Sequence, residues 1–447
     1  MESLLMKKIV IVGAVAGGAT VASQTRYYDK ESQIVIFEQD EVMSYSACGM
    51  PYFIGGEISD ESSLIAATPE KFKKEKNINV HLRHRVTSIN RQLKMVEVLN
   101  LETQQSFEES YDVLILSPGG TPFIPKTPGL ESTKMFTLRN FNDMEKINHY
   151  IKTEQPKSCV IVGAGFIGLE MAENLVNIGL TVSIVEKSRQ VMNIMDADSS
   201  ALVEDELLEH GVSLYKGNFI TKVNGTHIEL DLGEKLQGDF ILMSVGVTPS
   251  TELAEKAQLA IGETRGIVTN EYLLTNDPSI YAIGDAAENI DFITGDAKRV
   301  PLAWPAHRQA FIVAKHITGE NIPFKGLLGT SICKVFTQSV ALTGLNEKTL
   351  SDRQMNFESI SQTSYSNAGY FPDHAKIFMK IHYNSVTRKV LGAQVVGGKG
   401  VDKRIDVLAT AIYAGLTMDD LQALELAYAP PYSSPKDPVN MAGYKAK

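Results

Sequence analysis

The sequence predicts an α/β protein with two parallel-sheet units and a C-terminal α+β domain. Three observations carry that expectation. Residues 7–38 read strand, glycine-rich turn, helix, strand. Residues 157–186 repeat that order. Beyond about residue 325 the glycine motifs stop; alternating strand patterns at 375–383 and 389–396 lead into a helix-like stretch at 403–414.

At 447 residues the chain has room for two or three domains. Hydrophobic residues make up 43% and charged residues 21%, the balance of a globular protein able to bury large cores. A net charge of -10 argues against nonspecific nucleic-acid binding, which needs a basic face, but leaves room for a local basic pocket. No apolar run reaches the ~18–20 residues of a membrane helix. The start, MESLLMKKIVIVG, has the short apolar run of a signal peptide. That run enters a glycine-rich turn instead of a cleavage site, so it reads as a strand. Cys48, Cys159 and Cys333 are odd in number and widely spaced, which is no disulfide framework and fits a reducing cytoplasm. No metal site is expected.

The first unit is KKIVIVGAVAGGATVASQTRYYDKESQIVIFEQD. Gly13 and Gly18 hold the first and third places of G-x-G-x-x-G, Val15 holds the second, and Ala16 and Gly17 lie between. Glu38 ends the next strand, where a carboxylate can hold an adenosine ribose.

Cys48 follows in DEVMSYSACGMPYFIGG. The glycines and Pro51 predict a loop passing into a helix start, which lowers a thiol's pKa and favours the reactive thiolate. Such a thiolate attacks a disulfide or carries an oxidised sulfur. Ser44 stands four residues earlier, so no C-x4-C dithiol exists, and a disulfide partner must come from the substrate. Cys159 in SCVIVG and Cys333 in ICKVF read as core residues.

The second unit, CVIVGAGFIGLEMAENLVNIGLTVSIVEKS, carries the complete motif in Gly163, Gly165 and Gly168. Gly163 permits the tight turn, Gly165 lets the backbone approach a pyrophosphate, and Gly168 lets the helix pack on the strand. Phe166 and Ile167 open the helix, whose unpaired N–H groups face the phosphates. Glu186 ends the next strand and favours NADH over NADPH by repelling a 2′-phosphate, although Lys187 and Arg189 lie beside it. Two such sites imply an electron donor and an acceptor: a flavin on the N-terminal unit and a nicotinamide on the second. Further on, TNDPSIYAIGDAA at 275–287 reads as a turn and a strand ending in Gly284-Asp285.

Together these residues resemble the pyridine nucleotide-disulfide oxidoreductases, in the single-cysteine branch that includes coenzyme A-disulfide reductases, NADH peroxidases and NADH oxidases. The resemblance spans essentially the whole chain. It runs through S-x-x-x-C-G at 44–49, LILSPGG at 114–120, SVGVTPST at 244–251, YAIGDAA at 281–287, LAWPAHR at 302–308 and AYAPPYSSPKD at 427–437. The tail and the GAVAGGAT start are most similar to coenzyme A-disulfide reductases.

The resemblance implies FAD and NADH or NADPH as cofactors, a homodimer, and coenzyme A or a similar small thiol or disulfide as partner. It implies an FAD domain from 1–119 and 245–322, an NAD(P)H domain at 120–244 and a dimerisation domain at 323–447. Gly284, Asp285 and Ala303 would contact the flavin cofactor, and His307 would line its pocket. Tyr428 would reach the cysteine of the partner subunit, with Tyr370 as a second active-site tyrosine. Thr20, Gln24, Ser44 and Ala47 would contact substrate. Ala16 stands where peroxidases and oxidases carry histidine, which points to a disulfide acceptor. Two positions depart from the coenzyme A pattern: Ala47 replaces Asn before the cysteine, and Tyr27, beside Arg26, replaces a phosphate-binding Arg. No rhodanese extension is expected after the tail motif. Alternative readings are a coenzyme A persulfide or polysulfide reductase, an NADH oxidase or peroxidase, and a noncatalytic flavin-bound redox sensor.

Overall fold

A computed structural model describes residues 6–446, so the first five residues of the MESLLMKKIVIVG start lie outside it. The chain divides into two compact units. The first takes Met1–Phe123, Arg139–His149 and Val247–Leu327, and the second takes Ile124–Leu138, Tyr150–Gly246 and Leu328–Lys447.

The first unit is organised on a five-stranded parallel sheet. Its order is Ile280–Ala282, Val113–Leu116, Lys8–Val12, Gln33–Phe37, Asn79–His81. The near-continuous apolar runs KIVIV, QIVIF and VLIL suit strands covered on both faces. Period-two alternation sends Ile9, Ile11, Ile34, Ile36 and Ile115 into one core. There they join Ala19 and Ala22 of the Ala16–Tyr28 helix and Ala310 and Val313 of the Ala303–Ile317 helix. Val10, Val12, Val35, Phe37, Leu114 and Leu116 enter the opposite core, with Val96 and Val98. Each large side chain so buried contributes roughly 1.5–3 kcal/mol.

The second unit holds another five-stranded parallel sheet, ordered Ser213–Lys216, Thr181–Glu186, Ser158–Val162, Phe240–Met243, Met135–Thr137. It also holds an antiparallel sheet ordered Ser331–Val335, Gln338–Gly344, Val390–Gly397, Lys376–Asn384, Phe357–Tyr365. The predicted helix is Val401–Ala414, closed by Gly415 in the left-handed region. The strand read at 389–396 is Val390–Gly397, and it is buried throughout. That strand is central, and the helices Val401–Ala414 and Ala197–Glu209 both pack against it.

Among the described residues, no helix is long and apolar enough to cross a membrane.

Candidate active site

Parallel sheets bind ligands at the carboxyl ends of their strands. In the first unit, Gly13, Ser117 and Gly284 lie just beyond three neighbouring strand ends. Gly13 has φ +95°, and a Cβ there would collide with the Ser117 carbonyl. A Cβ on Gly17 would strike Ser117 Oγ, and one on Gly18 would strike the Gly13 carbonyl. The backbone of Ala16–Tyr28 therefore starts tight against the sheet. Val15, in the second motif position, is half-buried just before that helix.

Glu38 is buried at 6% exposure. Its carboxylate accepts the Ala14 N–H at 2.7 Å and the Asp40 N–H at 3.0 Å. Burial raises its pKa, and those amides work against the rise. Asp285 lies in the Gly284–Ala286 turn. Burial raises its pKa too, opposed by Arg139, which pairs with it at 2.9 Å. Arg139 also donates to the Gly120 carbonyl at 2.8 Å. Arg139 is not evident from the sequence. Its one signal there is LRN, a short motif whose partner Asp285 lies 146 residues away. Gly284 N–H donates to Gln309 Oε1 at 2.7 Å, which fixes that turn. Ala303 is exposed at the start of its helix.

The second turn repeats the design. Gly163 has φ +103°, and a Cβ on Gly168 would collide with the Gly163 carbonyl. A Cβ on Gly165 would meet nothing within 4 Å, so the side on which a pyrophosphate would approach is open. Phe166 and Ile167 begin the Phe166–Asn177 helix, with Ile167 exposed. Glu186 accepts the Ala164 N–H at 2.8 Å and the Ser188 N–H at 2.6 Å. Lys187 and Arg189 are exposed. The open side at Gly165 fits a dinucleotide at the second turn, and at both turns an acidic side chain is held at the end of the next strand.

Cys48 is exposed, in the Ala47–Gly49 3-10 turn that runs directly into the short Met50–Ile54 helix. Ala47 is half-buried there. Ser44 anchors the segment: its N–H donates to the Ala14 carbonyl at 2.9 Å, and its carbonyl accepts the Ala66 N–H at 2.7 Å. Ser44 holds φ +46°, a strained conformation for a non-glycine residue. The Ala14 backbone, through its N–H and its carbonyl, thus bridges Glu38 and the cysteine loop. Cys159 and Cys333 are buried, and burial pushes both thiols far up, out of reactive range.

Thr20, Ser23, Gln24 and Tyr27 share one helix face by spacing. Thr20 Oγ1 lies 2.7 Å from His307 Nδ1, so His307 sits with a candidate substrate contact. Arg26 does not stand in for the arginine missing at Tyr27. It is 8% exposed and donates to the carbonyls of Lys76, Asp29 and Ser32. Lys76 donates to Ser23 Oγ at 2.7 Å, which brings an ammonium to that face. Sequence spacing does not reveal this contact, because the two residues lie 53 apart.

In the second unit the hydroxyls of Tyr370 and Tyr428 are 3.4 Å apart. Both rings are exposed, at 77% and 45%. The hydrogen bond with Tyr370 raises the Tyr428 pKa. Among the described residues, no group of three or more His, Cys, Asp or Glu is placed to hold a metal.

A chain with two dinucleotide cradles and an exposed thiol tied to one of them is a dinucleotide-dependent redox protein. Comparison with known proteins narrows this. The family described as pyridine nucleotide-disulphide oxidoreductase matches residues 7–310, and its dimerisation domain matches 330–438. The chain belongs to this family of flavoprotein oxidoreductases, which bind FAD and NAD(P)H.

The chain is 43% identical over 443 residues to a coenzyme A disulfide reductase of Staphylococcus aureus (strain bovine RF122 / ET3-1), covering 99% of this chain and 100% of the relative. The reduced Bacillus anthracis CoADR-RHD structure matches with TM-score 0.97 and 44% identity, over 98% of this chain and 80% of that one. An NAD-dependent persulfide reductase from A. fulgidus matches with TM-score 0.95 and 35% identity, over 98% and 82%.

Proposed function

We propose that this enzyme reduces coenzyme A disulfide, or a closely related low-molecular-weight disulfide, through Cys48. The observation that carries the reading is the Ala14 bridge. It ties the cysteine loop to the dinucleotide turn, with serine where a second cysteine would make an internal dithiol. The full-length likeness to a coenzyme A disulfide reductase supports the choice of substrate.

The Cys48 thiolate attacks one sulfur of the incoming disulfide. The substrate S–S bond breaks, one thiolate leaves, and a mixed disulfide remains on Cys48. When bound, the nicotinamide and the flavin supply the electron pair that reopens that mixed disulfide. The partner subunit's Tyr428, with Tyr370, donates a proton or hydrogen bond to the departing thiolate. Thr20, Gln24, Ser44, Ala47 and His307 line the approach, and Lys76 offers the positive charge that Tyr27 lacks.

Glu38, Arg139, Gly284 and Asp285 would hold FAD, with Gly13, Ala16, Gly17, Gly18 and Ala303 shaping its cradle. Gly163, Gly165, Phe166, Ile167, Gly168 and Glu186 would hold the nicotinamide cofactor. The resident pair is FAD with NADH or NADPH, and Glu186 favours NADH. A homodimer working in the cytoplasm fits the reading, as does a division into FAD (1–119, 245–322), NAD(P)H (120–244) and dimerisation (323–447) domains.

Initial rates on coenzyme A disulfide, coenzyme A persulfide and oxygen test the proposal. A kcat/KM highest on the disulfide supports it. A higher value on persulfide favours the second reading, for which the likeness to the persulfide reductase speaks. Rapid oxygen uptake without disulfide overturns both. Ala16 argues against that outcome, because it supplies no imidazole to a sulfenic acid.

A further inference from the structure

The second unit contains a buried charge pair to which the reaction assigns no part. Arg404, on the Val401–Ala414 helix, is 1% exposed, and Asp437 is 2% exposed. Arg404 Nη2 donates to Asp437 Oδ2 at 2.8 Å, and Nε donates to Oδ1 at 3.3 Å. Lys403 Nζ lies 3.6 Å from Asp437 Oδ2, and Arg404 Nη1 donates to the Gly400 carbonyl at 3.0 Å at the start of its own helix. A buried pair adds little net stability, since desolvation offsets its attraction. The remaining contacts of this guanidinium are therefore informative.

Arg404 Nη2 donates to the Ser366 carbonyl at 2.8 Å and to Ser433 Oγ at 3.3 Å. Ser366 closes the base of the loop that carries Tyr370. Its N–H donates to the Ala375 carbonyl at 2.8 Å, and its Oγ accepts the Ala375 N–H at 3.0 Å. Ser433 and Asp437 belong to the tail that carries Tyr428, and Ser433 Oγ donates to Asp437 at 2.7 Å. One direct backbone bond links the two segments: Ala368 N–H to the Pro430 carbonyl, 3.3 Å. The two exposed tyrosines thus stand on segments whose roots meet at one planar cation.

We propose that Arg404 is a positioning residue: it fixes the Tyr370 loop and the Tyr428 tail in register, so that the two phenols present as a pair. The catalytic meaning of that pair rests on the function proposed above; the mechanical coupling does not. Lysine keeps the charge but lacks the fork that reaches Ser366 and Asp437 at once.

The test compares the FAD-loaded, full-length enzyme with Arg404→Lys. Ser433→Ala serves as a gentler variant that leaves the charge pair intact should the first fold poorly. Hydrogen exchange at 366–375 and 427–437 reads the coupling. Expected is faster exchange in both segments together, and a kcat for disulfide reduction lower by up to about a hundredfold with KM within about twofold. NAD(P)H-driven reduction of ferricyanide should be unchanged. Adding Arg404→Lys to the Tyr370→Phe/Tyr428→Phe enzyme should cost little more. Unchanged exchange in either segment overturns the proposal, as does an equal loss of ferricyanide turnover or a fully additive loss on the tyrosine background. If the tyrosine double variant is as active as the parent, the catalytic reading of the tyrosines fails, while exchange still decides whether Arg404 couples them.

Discussion

Cys48 draws its proposed role from its neighbours. Its loop is pinned through Ser44 to the carbonyl of Ala14, the residue whose N–H also satisfies Glu38, so thiol and glycine turn share a base. Cys48→Ser removes the nucleophile and leaves that base intact. Disulfide reduction should fall roughly 10³-fold or more, while NAD(P)H-driven ferricyanide reduction persists; stopped-flow traces with each acceptor check this. Glu186 carries the second residue-scale prediction. Both its oxygens already accept backbone N–H groups, which fixes the carboxylate where ribose hydroxyls would meet it. A hydrogen bond to a charged group contributes about 1.5–3 kcal/mol. Glu186→Ser should therefore lower kcat/KM for NADH about tenfold to a hundredfold, and lower the NADH/NADPH ratio further by lifting the repulsion of a 2′-phosphate. A ratio unmoved by the change would show that nucleotide choice resides elsewhere.

At the scale of elements, Asp196 shows a local role given up for a longer one. It is the N-cap of Ala197–Glu209, yet its carboxylate caps nothing in that helix. It meets His382 Nε2 at 2.7 Å, Lys380 Nζ at 3.2 Å and the Glu347 N–H at 2.9 Å, joining the helix start to the Lys376–Asn384 strand. Burial alone would raise its pKa, but the bond and charge of His382, the Glu347 amide and Lys380 prevail and lower it to about 2 from 3.8. A carboxylate with a depressed folded pKa stabilises fully above its unfolded pKa. That contribution, roughly 2–3 kcal/mol, is lost as pH falls from about 4 towards 2. Urea titrations across that range should show the loss in the parent and a flatter profile in Asp196→Asn. The sequence is mute on this joint, since Asp196 and His382 lie 186 residues apart. The same holds for Lys76 on Ser23 and Arg139 on Asp285. The glycine turns are legible because their constraint is local: Gly13 and Gly163 need positive φ, and Gly18 and Gly168 allow close packing within five residues. Arg26 misleads for the converse reason, as sequence adjacency to Tyr27 says nothing of the three carbonyls that consume it.

For the molecule as a whole, the first unit is assembled from three stretches of chain, and the groups proposed to hold FAD are spread over all three. Gly13 and Glu38 come from the first stretch, Arg139 from the second and Asp285 from the third. A ligand gripped by all of them favours only the state in which the three stretches are together, so its binding energy adds to the stability of that unit. On the assignment proposed above FAD is such a ligand, and its removal has a predictable cost. At a free concentration of about 100 Kd, FAD contributes about 2.7 kcal/mol, which for a unit of this size is roughly 5–10 °C in Tm. Removing FAD should lower the unfolding temperature of the first unit by that amount, and adding it back should restore it. Trp304, the single tryptophan, lies in the first unit and is 65% exposed, so its fluorescence reports on this unit alone. Hydrogen exchange in apoprotein and reconstituted protein should locate the protection at 6–123, 139–149 and 247–327. Protection confined to 150–246 or 328–446, or a tryptophan transition indifferent to FAD, would place the flavin elsewhere and remove Glu38, Arg139 and Asp285 from its site.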